Sequence, residues 1–147
     1  MSPEKEQILY DKYPDLFSNR LLGPRQSCMS FGCEVGEGWF EILSSVCFLI
    51  SRYEKNMVDR IAARNKFGTK NDQSDLDYIP VKFDQIKEKF GGLTIYYSGG
   101  DEYVRGLVAM AGEMSYKTCE RCGNPGEPSK TGWIKVLCER CSNERNS

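Results

Sequence analysis

Four cysteines near the C-terminus stand in two pairs with the same internal spacing. Cys119 and Cys122 enclose Glu-Arg, Cys138 and Cys141 enclose the same dipeptide, and fifteen residues separate the pairs. Two residues between cysteines let both sulfurs converge on one ion, and this C-x2-C-x15-C-x2-C spacing is typical of zinc sites. Gly123 follows the first pair and can take the positive φ that such a turn needs. The spacing therefore predicts a metal site with four thiolate ligands.

The predicted site has no open coordination position for catalysis. Four thiolates complete a tetrahedron and leave no position for water or substrate, so we expect a structural Zn²⁺ ion. Spacing alone does not distinguish zinc from a four-cysteine iron centre. The repeated C-E-R-C tetrapeptide predicts two similar turns facing each other, as in a zinc ribbon. We expect residues 133–137 to return the chain as a strand, with Trp133 covering the module or the adjoining helix.

The residues outside this site narrow the function further. The chain has no histidine, which excludes Ser-His-Asp and Cys-His catalysis and any imidazole ligand. With a closed metal site, this favours a non-enzymatic protein, although Lys, Tyr and carboxylates remain available for chemistry. Of the other cysteines, Cys47 falls in an apolar helical segment and is expected in the core. Cys28 and Cys33 are too widely spaced for a standard metal-binding turn, and their role stays open.

Length and composition suit one α+β domain with a small appendage. The chain has 147 residues, 39% hydrophobic and 28% charged, and a net charge of -1. We divide it into a core at 1–117 and a zinc-ribbon module at 118–147. The first residues lack the basic and apolar regions of a signal peptide, and the longest apolar run, 39–50, is too short to cross a bilayer. We therefore expect a cytoplasmic protein without a membrane partner.

Two segments of the core have strong periodicity. Apolar residues at 38–66 recur at alternating spacings of four and three, which predicts a long central helix. Residues 81–98 predict a β-hairpin, because 93–98 alternate with a period of two and Gly91-Gly92 supplies a turn.

The other segments give weaker signals. Residues 4–17 predict a short helix broken near Pro14, and 101–117 a helix capped by Asp101, in which Gly106 and Gly112 serve close packing. Residues 18–37 and 67–80 predict loops. We expect the first loop to pack on the core through Leu21, Leu22 and Phe31.

Two sets of residues are candidates for binding. Residues 52–70 carry a net charge of +4, which predicts a basic patch formed by Arg52, Lys55, Arg60, Arg64 and Lys66. A glycine pair before a helix could hold a phosphate while tyrosines stack on a base. The residues of this ligand-contact set are Tyr96, Tyr97, Gly99 and Gly100.

Several motifs together resemble a known group of proteins. They are G-E-G-W-F at 36–40, K-E-K-F-G-G-L at 87–93, Y-Y at 96–97, T-C-E-R-C-G-N-P-G at 118–126 and G-W-I-K-V-L-C at 132–138. The chain resembles, over roughly residues 36–142, a widespread group of small uncharacterised phage and prophage proteins. The resemblance implies an accessory protein made from a phage or prophage, and it implies no activity or catalytic residue.

Three functions are compatible with these observations. The first is a non-enzymatic factor that binds a host protein, for instance an inhibitor of a bacterial defence system. The second is a zinc-ribbon protein that binds nucleic acid, which the near-neutral charge of the module supports only weakly. The third is a protein that sequesters a signalling nucleotide.

Overall fold

The computed structural model describes residues 1–68, 77–129 and 132–146. Most of the loop predicted at 67–80, and Lys70 of the basic stretch, lie outside these residues. The described residues form the predicted α+β fold: a long central helix, three further α-helices and a small mixed sheet, with four cysteines grouped near the C-terminus. None of the helices in these ranges has the length and apolar character needed to cross a membrane.

The central element is helix α2, Phe40–Phe67, which follows a 3-10 turn at Glu37–Trp39. It confirms the helix predicted at 38–66. Gly68 ends it with a positive φ of 69° and donates its N–H to the Arg64 carbonyl. Burial is concentrated in the first half, because that half is apolar on more than one face. The buried side chains of α2 are Ile42, Leu43, Val46, Cys47, Ile50 and Met57.

The sheet contains the predicted hairpin and one strand that was not predicted. The hairpin turn is formed by Phe90 and Gly91 rather than by Gly91 and Gly92, because Gly92 already pairs with Lys89. Strands β2, Lys82–Lys89, and β3, Gly92–Ser98, are antiparallel, and β1, Cys33–Glu34, pairs with β2 in parallel, giving the order β1-β2-β3. Two residues are too few to show a period of two, so the sequence carries no signal for β1.

Aromatic side chains attach the N-terminal segment to the sheet. Helix α1, Pro3–Lys12, ends before Pro14, as predicted. The Tyr10 and Phe17 rings meet edge-on at 5.0 Å, and Phe17 meets Phe83 of β2 at 5.1 Å. Such pairs stabilise a core beyond the area that they bury.

The loop predicted at 18–37 uses other residues for packing than expected. The prediction that Leu21, Leu22 and Phe31 pack on the core is wrong, since all three are exposed. Two 3-10 turns, Ser18–Leu21 and Cys28–Phe31, rotate them outward. The buried residues are instead Met29, Cys33 and Val35. Short 3-10 turns follow neither of the periods on which sequence patterns depend.

Helix α3, Glu102–Ser115, packs on the hairpin. Asp101 caps it as predicted, accepting the N–H groups of Tyr103 and Val104 at 3.0 and 3.2 Å. The packing prediction holds for Gly112, where a Cβ would meet the Leu93 carbonyl oxygen at 3.5 Å, but it is wrong for Gly106, whose Cβ position has no neighbour within 4 Å.

Candidate metal centre

The first cysteine pair lies in a tight turn. The Gly123 N–H donates to the Cys119 carbonyl at 2.9 Å, and Gly123 has the predicted positive φ, 78°. Backbone N–H groups around the turn also donate to the Cys119 sulfur. Burial by itself raises the pKa of Cys119, but the N–H groups of Cys138, Cys122 and Arg121 outweigh it and lower the pKa to about 7. The turn therefore favours the thiolate, the form that binds metal.

The second pair differs from the sequence prediction. Strand β4, Glu127–Pro128, pairs with β5, Val136–Leu137, and the chain then enters helix α4, Glu139–Asn146. Cys138 immediately precedes this helix and Cys141 lies in its first turn. The two C-E-R-C tetrapeptides thus have different conformations, and the predicted pair of matching turns is replaced by a turn, a hairpin and a helix. Burial and the neighbouring cysteines raise the pKa of Cys141 to about 12, so its thiol would release a proton on binding a metal ion.

The four sulfurs have the spacing of a tetrahedral metal site. They lie between 3.6 and 3.9 Å from one another. A tetrahedron with Zn–S bonds of about 2.3 Å has edges of about 3.8 Å. Disulfide sulfurs would be about 2.05 Å apart, so these cysteines are free. Cys119 and Cys141 are buried, while Cys122 and Cys138 are partly exposed. The cluster could hold a metal ion, and it is the only such cysteine, acidic or histidine group within the described residues.

The segment 36–39 lies directly against the first turn. The Gly38 N–H donates to the Glu120 carbonyl at 2.8 Å, and the Trp39 indole N–H donates to the Thr118 carbonyl at 2.9 Å. A Cβ on Gly38 would lie 2.0 Å from the Cys119 carbonyl oxygen. Sequence reasoning singled out this segment only as part of a resemblance. The structure shows its physical role, which is to let the cysteine turn approach the core backbone.

Lys135 connects the cysteine module to the hairpin. Its ammonium lies 2.9 Å from a Glu120 carboxylate oxygen and 3.0 Å from one of Glu88, and both carboxylates are largely buried. Glu120 also accepts the Gly36 N–H at 3.2 Å. These residues were not predicted, because no pattern pairs charges that are distant in sequence. The division into 1–117 and 118–147 stays a prediction.

We expect Lys135→Met to lower the free energy of unfolding by about 2 kcal/mol, because two buried carboxylates lose their shared cation. Urea unfolding at neutral pH measures this, with Lys117→Met as the control, since Lys117 is exposed and forms no ion pair among the described residues. Equal effects of the two substitutions would show that the bridge adds nothing to stability.

The same variant has a predictable pH dependence. Partial burial raises the pKa of Glu88, but the Gly91 N–H and the Lys135 ammonium outweigh it, so the pKa is lowered from 4.5. A depressed carboxyl pKa stabilises the fold above the unfolded pKa, and this stabilisation is lost as the pH falls through the folded value. The stability difference between Lys135→Met and the unmodified protein should therefore shrink as the pH falls below 4.5.

The residues of the predicted basic patch are more dispersed than the four cysteines. All five residues of the basic patch lie on α2, but at about 100° per residue Arg52, Lys55 and Lys66 face one side and Arg60 and Arg64 another. They do not form one continuous face.

The ligand-contact set does not form a phosphate cradle. Tyr96 is exposed, whereas Tyr97 packs against the core. Gly99 and Gly100 lie against the backbone of Ile79 and Pro80. The Asp101 carboxylate already accepts the N–H groups that a phosphate would need. Binding at either candidate set stays a prediction.

The remaining cysteines are separate from the cluster. Cys33 and Cys47 are buried, as expected for Cys47, and Cys28 is exposed. Burial raises the pKa of Cys33 to about 12 and raises that of Cys47 as well. Both are therefore thiols at neutral pH and behave as small apolar side chains.

The chain was compared with known protein families, curated proteins and solved structures. No protein-family model, curated protein or solved structure matches the chain.

Proposed function

We propose that the protein is a non-enzymatic, zinc-containing protein that binds another protein through a surface beside its metal centre. Four thiolates at tetrahedral spacing favour zinc as a structural ion. The ion would hold the turn of the first cysteine pair and the start of α4 together. The adjoining surface supplies the binding function.

The observation that carries the proposal is the exposure of large apolar side chains where the hairpin turn meets the module. Phe90 is 73% exposed and Trp133 is 70% exposed. The expectation that Trp133 covers the module or the adjoining helix is wrong, because the strand expected at 133–137 is limited to Val136–Leu137 and residues 132–133 form a bend before it. A cleft of about 420 Å³ lies between these two aromatic side chains. We call this the hairpin–module surface and define it by Lys87, Lys89, Phe90, Trp133 and Ile134.

The backbone at this surface is unusual. Phe90 has a positive φ of 53°, the only non-glycine residue with a positive φ among the described residues. This conformation costs on the order of 1 kcal/mol for an L-residue. An exposed phenyl ring recovers little of that cost by burial in the free protein. Phe90 and Gly91 are the two loop residues between Lys89 and Gly92, and a two-residue hairpin turn with positive φ at both positions places the Phe90 side chain outside the sheet.

The contacts beneath the turn make the surface rigid. The Gly91 N–H donates to a Glu88 carboxylate oxygen at 2.7 Å, and a Cβ at Gly91 would lie 2.6 Å from Ile134. The turn and the module therefore lie against each other before any partner binds. A preorganised surface loses less entropy on binding.

The charges indicate the chemistry of the partner. Glu88 is engaged by Lys135, while Lys87 and Lys89 form no ion pair within the described ranges. The surface thus combines exposed aromatics with two cations that have no carboxylate partner there, although each ammonium lies 5.6 Å from a ring centroid, Lys87 over Tyr96 and Lys89 over Phe90. It fits a protein segment with bulky apolar side chains next to Asp or Glu. The phage resemblance makes a host protein, such as a defence component, the proposed source of that segment.

Single-stranded nucleic acid is the second candidate, because aromatic rings flanked by lysines can stack on bases. Two available cations are few for following a phosphate backbone, since nucleic-acid binding draws most of its affinity from such contacts. Binding to an oligonucleotide that weakens steeply with salt would favour this candidate.

We expect a Phe90→Ala/Trp133→Ala variant to lose a partner that the unmodified protein captures stoichiometrically from host lysate. Each truncated aromatic should cost about 2 kcal/mol or more of binding free energy. The matched control is Phe67→Ala, since Phe67 is equally exposed but lies at the end of α2. Metal content should be the same in all three proteins. Capture that survives the double substitution, or is lost in the control, contradicts the proposal.

A further inference from the structure

The hairpin–module surface consists of two halves that are held in place in different ways. Phe90 and the two lysines beside it belong to the hairpin, whose strands contribute buried side chains to the main core. Trp133 and Ile134 belong to the segment that runs from the first cysteine pair to the second. We call residues 123–137 the inter-pair segment. The surface is complete only when this segment lies against the hairpin turn.

The inter-pair segment has very little apolar core to hold it. Among the described residues after 117, the buried apolar side chains are Cys119, Val136 and Cys141, and none of them belongs to the main core. Strands β4 and β5 have two residues each, and an isolated two-stranded hairpin is at best marginally stable in water. In small modules of this kind the free energy of metal binding is also the free energy of folding. We therefore expect the position of the segment to depend on the ion.

A continuous set of contacts joins the cysteine turn to the hairpin turn. The Lys135 ammonium lies 2.9 Å from a carboxylate oxygen of Glu120, which stands inside the first cysteine pair, and 3.0 Å from one of Glu88. The other carboxylate oxygen of Glu88 accepts the Gly91 N–H at 2.7 Å. The Gly91 backbone also lies against the side chain of Ile134, the residue before Lys135. A displacement of the inter-pair segment would therefore remove the supports of the hairpin turn.

We propose that metal loading of the cysteine cluster controls the assembly of the hairpin–module surface, and that Lys135 is the residue that links the two. The inference rests on the proposed function, because it concerns the regulation of the same surface. In the loaded protein the two cysteine pairs fix both ends of the inter-pair segment, and Trp133 lies across the cleft from Phe90. In the metal-free protein the segment leaves the hairpin turn, and only the hairpin half of the surface remains. By linkage, a partner that contacts both halves raises the affinity for the ion by the factor by which the ion raises the affinity for the partner.

The experiment is amide hydrogen exchange, resolved by residue with NMR, on the full chain loaded with zinc and after treatment with a strong zinc chelator. In the unmodified protein, exchange of the Gly91 N–H should become about tenfold faster without the ion, the factor that corresponds to one hydrogen bond to a charged group. The amide signals of Val46 and Ile50 in α2 should keep their positions, because the core stays folded. Restored zinc should return the Gly91 exchange rate to its original value.

Lys135→Met tests the link, because this variant keeps all four cysteines and should keep its zinc. Its Gly91 N–H should already exchange quickly in the loaded protein, and the chelator should change that rate little. Lys117→Met, with an exposed lysine replaced, should respond like the unmodified protein. The proposal is overturned if Gly91 exchange in the unmodified protein does not respond to the ion, or responds equally in Lys135→Met. Loss of the α2 signals on metal removal also overturns it, because the whole chain would then unfold.

Partner capture separates this inference from the proposed function. The exchange measurements use no partner, so failure to capture one from host lysate contradicts the proposed function and leaves the exchange result standing. A partner that the loaded and the metal-free protein capture equally contradicts the regulation and leaves the proposed function standing. Capture by the loaded protein that is at least tenfold weaker after metal removal supports both.

Discussion

A Cys138→Ser variant should lose its stoichiometric metal ion and most of the stability of the C-terminal module. Three thiolates cannot complete the tetrahedron that the four sulfurs outline. Binding of a structural zinc ion contributes on the order of 10 kcal/mol to the folding of such modules. The turn that contains Cys119 also hydrogen-bonds to segment 36–39, so we expect the unfolding temperature of the whole protein to fall.

Elemental analysis of the purified protein and thermal unfolding test this expectation. The unmodified protein should contain one equivalent of zinc, and the iron alternative would show in the same analysis. Cys28→Ser is the control, because Cys28 is exposed and lies outside the cluster. A metal-free unmodified protein, or a Cys138→Ser protein that keeps a full equivalent, would refute both the metal centre and the structural role given to it.

Gly38→Ala should destabilise the protein by about 3 kcal/mol and weaken its hold on the metal. A Cβ at this position would lie 2.0 Å from the Cys119 carbonyl oxygen, 2.5 Å from the Gly123 nitrogen and 2.8 Å from the Cys122 nitrogen. All three are backbone atoms of the turn of the first cysteine pair, which cannot move aside as a flexible side chain could. Overpacking of a rigid contact typically costs 1–3 kcal/mol and sometimes more.

Gly106→Ala is expected to have the opposite effect on the free energy of unfolding. Gly106 lies inside α3, and a Cβ there has no neighbour within 4 Å. Alanine in a helix interior is about 1 kcal/mol more favourable than glycine, so this variant should be more stable. In urea unfolding, the free energy of unfolding should therefore fall in Gly38→Ala and rise in Gly106→Ala. The rate of zinc transfer to a chelator should change only in Gly38→Ala. If Gly38→Ala behaves like Gly106→Ala, the close contact between turn and core does not exist.

Elements with a long regular pattern could be predicted from the sequence. Helix α2 repeats its apolar stripe over most of its 28 residues, and β3 alternates from Leu93 to Ser98. Each pattern reflects one buried face, and further residues strengthen the same signal. The grouping of the four cysteines could be predicted as well, because two residues between cysteines is a local geometric requirement of a metal site.

Features that depend on contacts distant in sequence could not be predicted. The parallel pairing of Cys33 with Ile86 joins segments without a shared pattern. The same holds for Lys135, which pairs with Glu88 and Glu120. The identical C-E-R-C tetrapeptides adopt a turn in one place and the start of a helix in the other. Their conformations differ because tertiary packing outweighs weak local propensities.

The environments of the two tryptophans have a practical consequence. Trp39 is fully buried, and its indole N–H is hydrogen-bonded to the carbonyl of Thr118, the residue before Cys119. Trp133 is mostly in water. A soluble quencher such as iodide should therefore extinguish the fluorescence of Trp133 and leave that of Trp39. The remaining emission would report the loading of the metal centre from inside the core, without any attached dye.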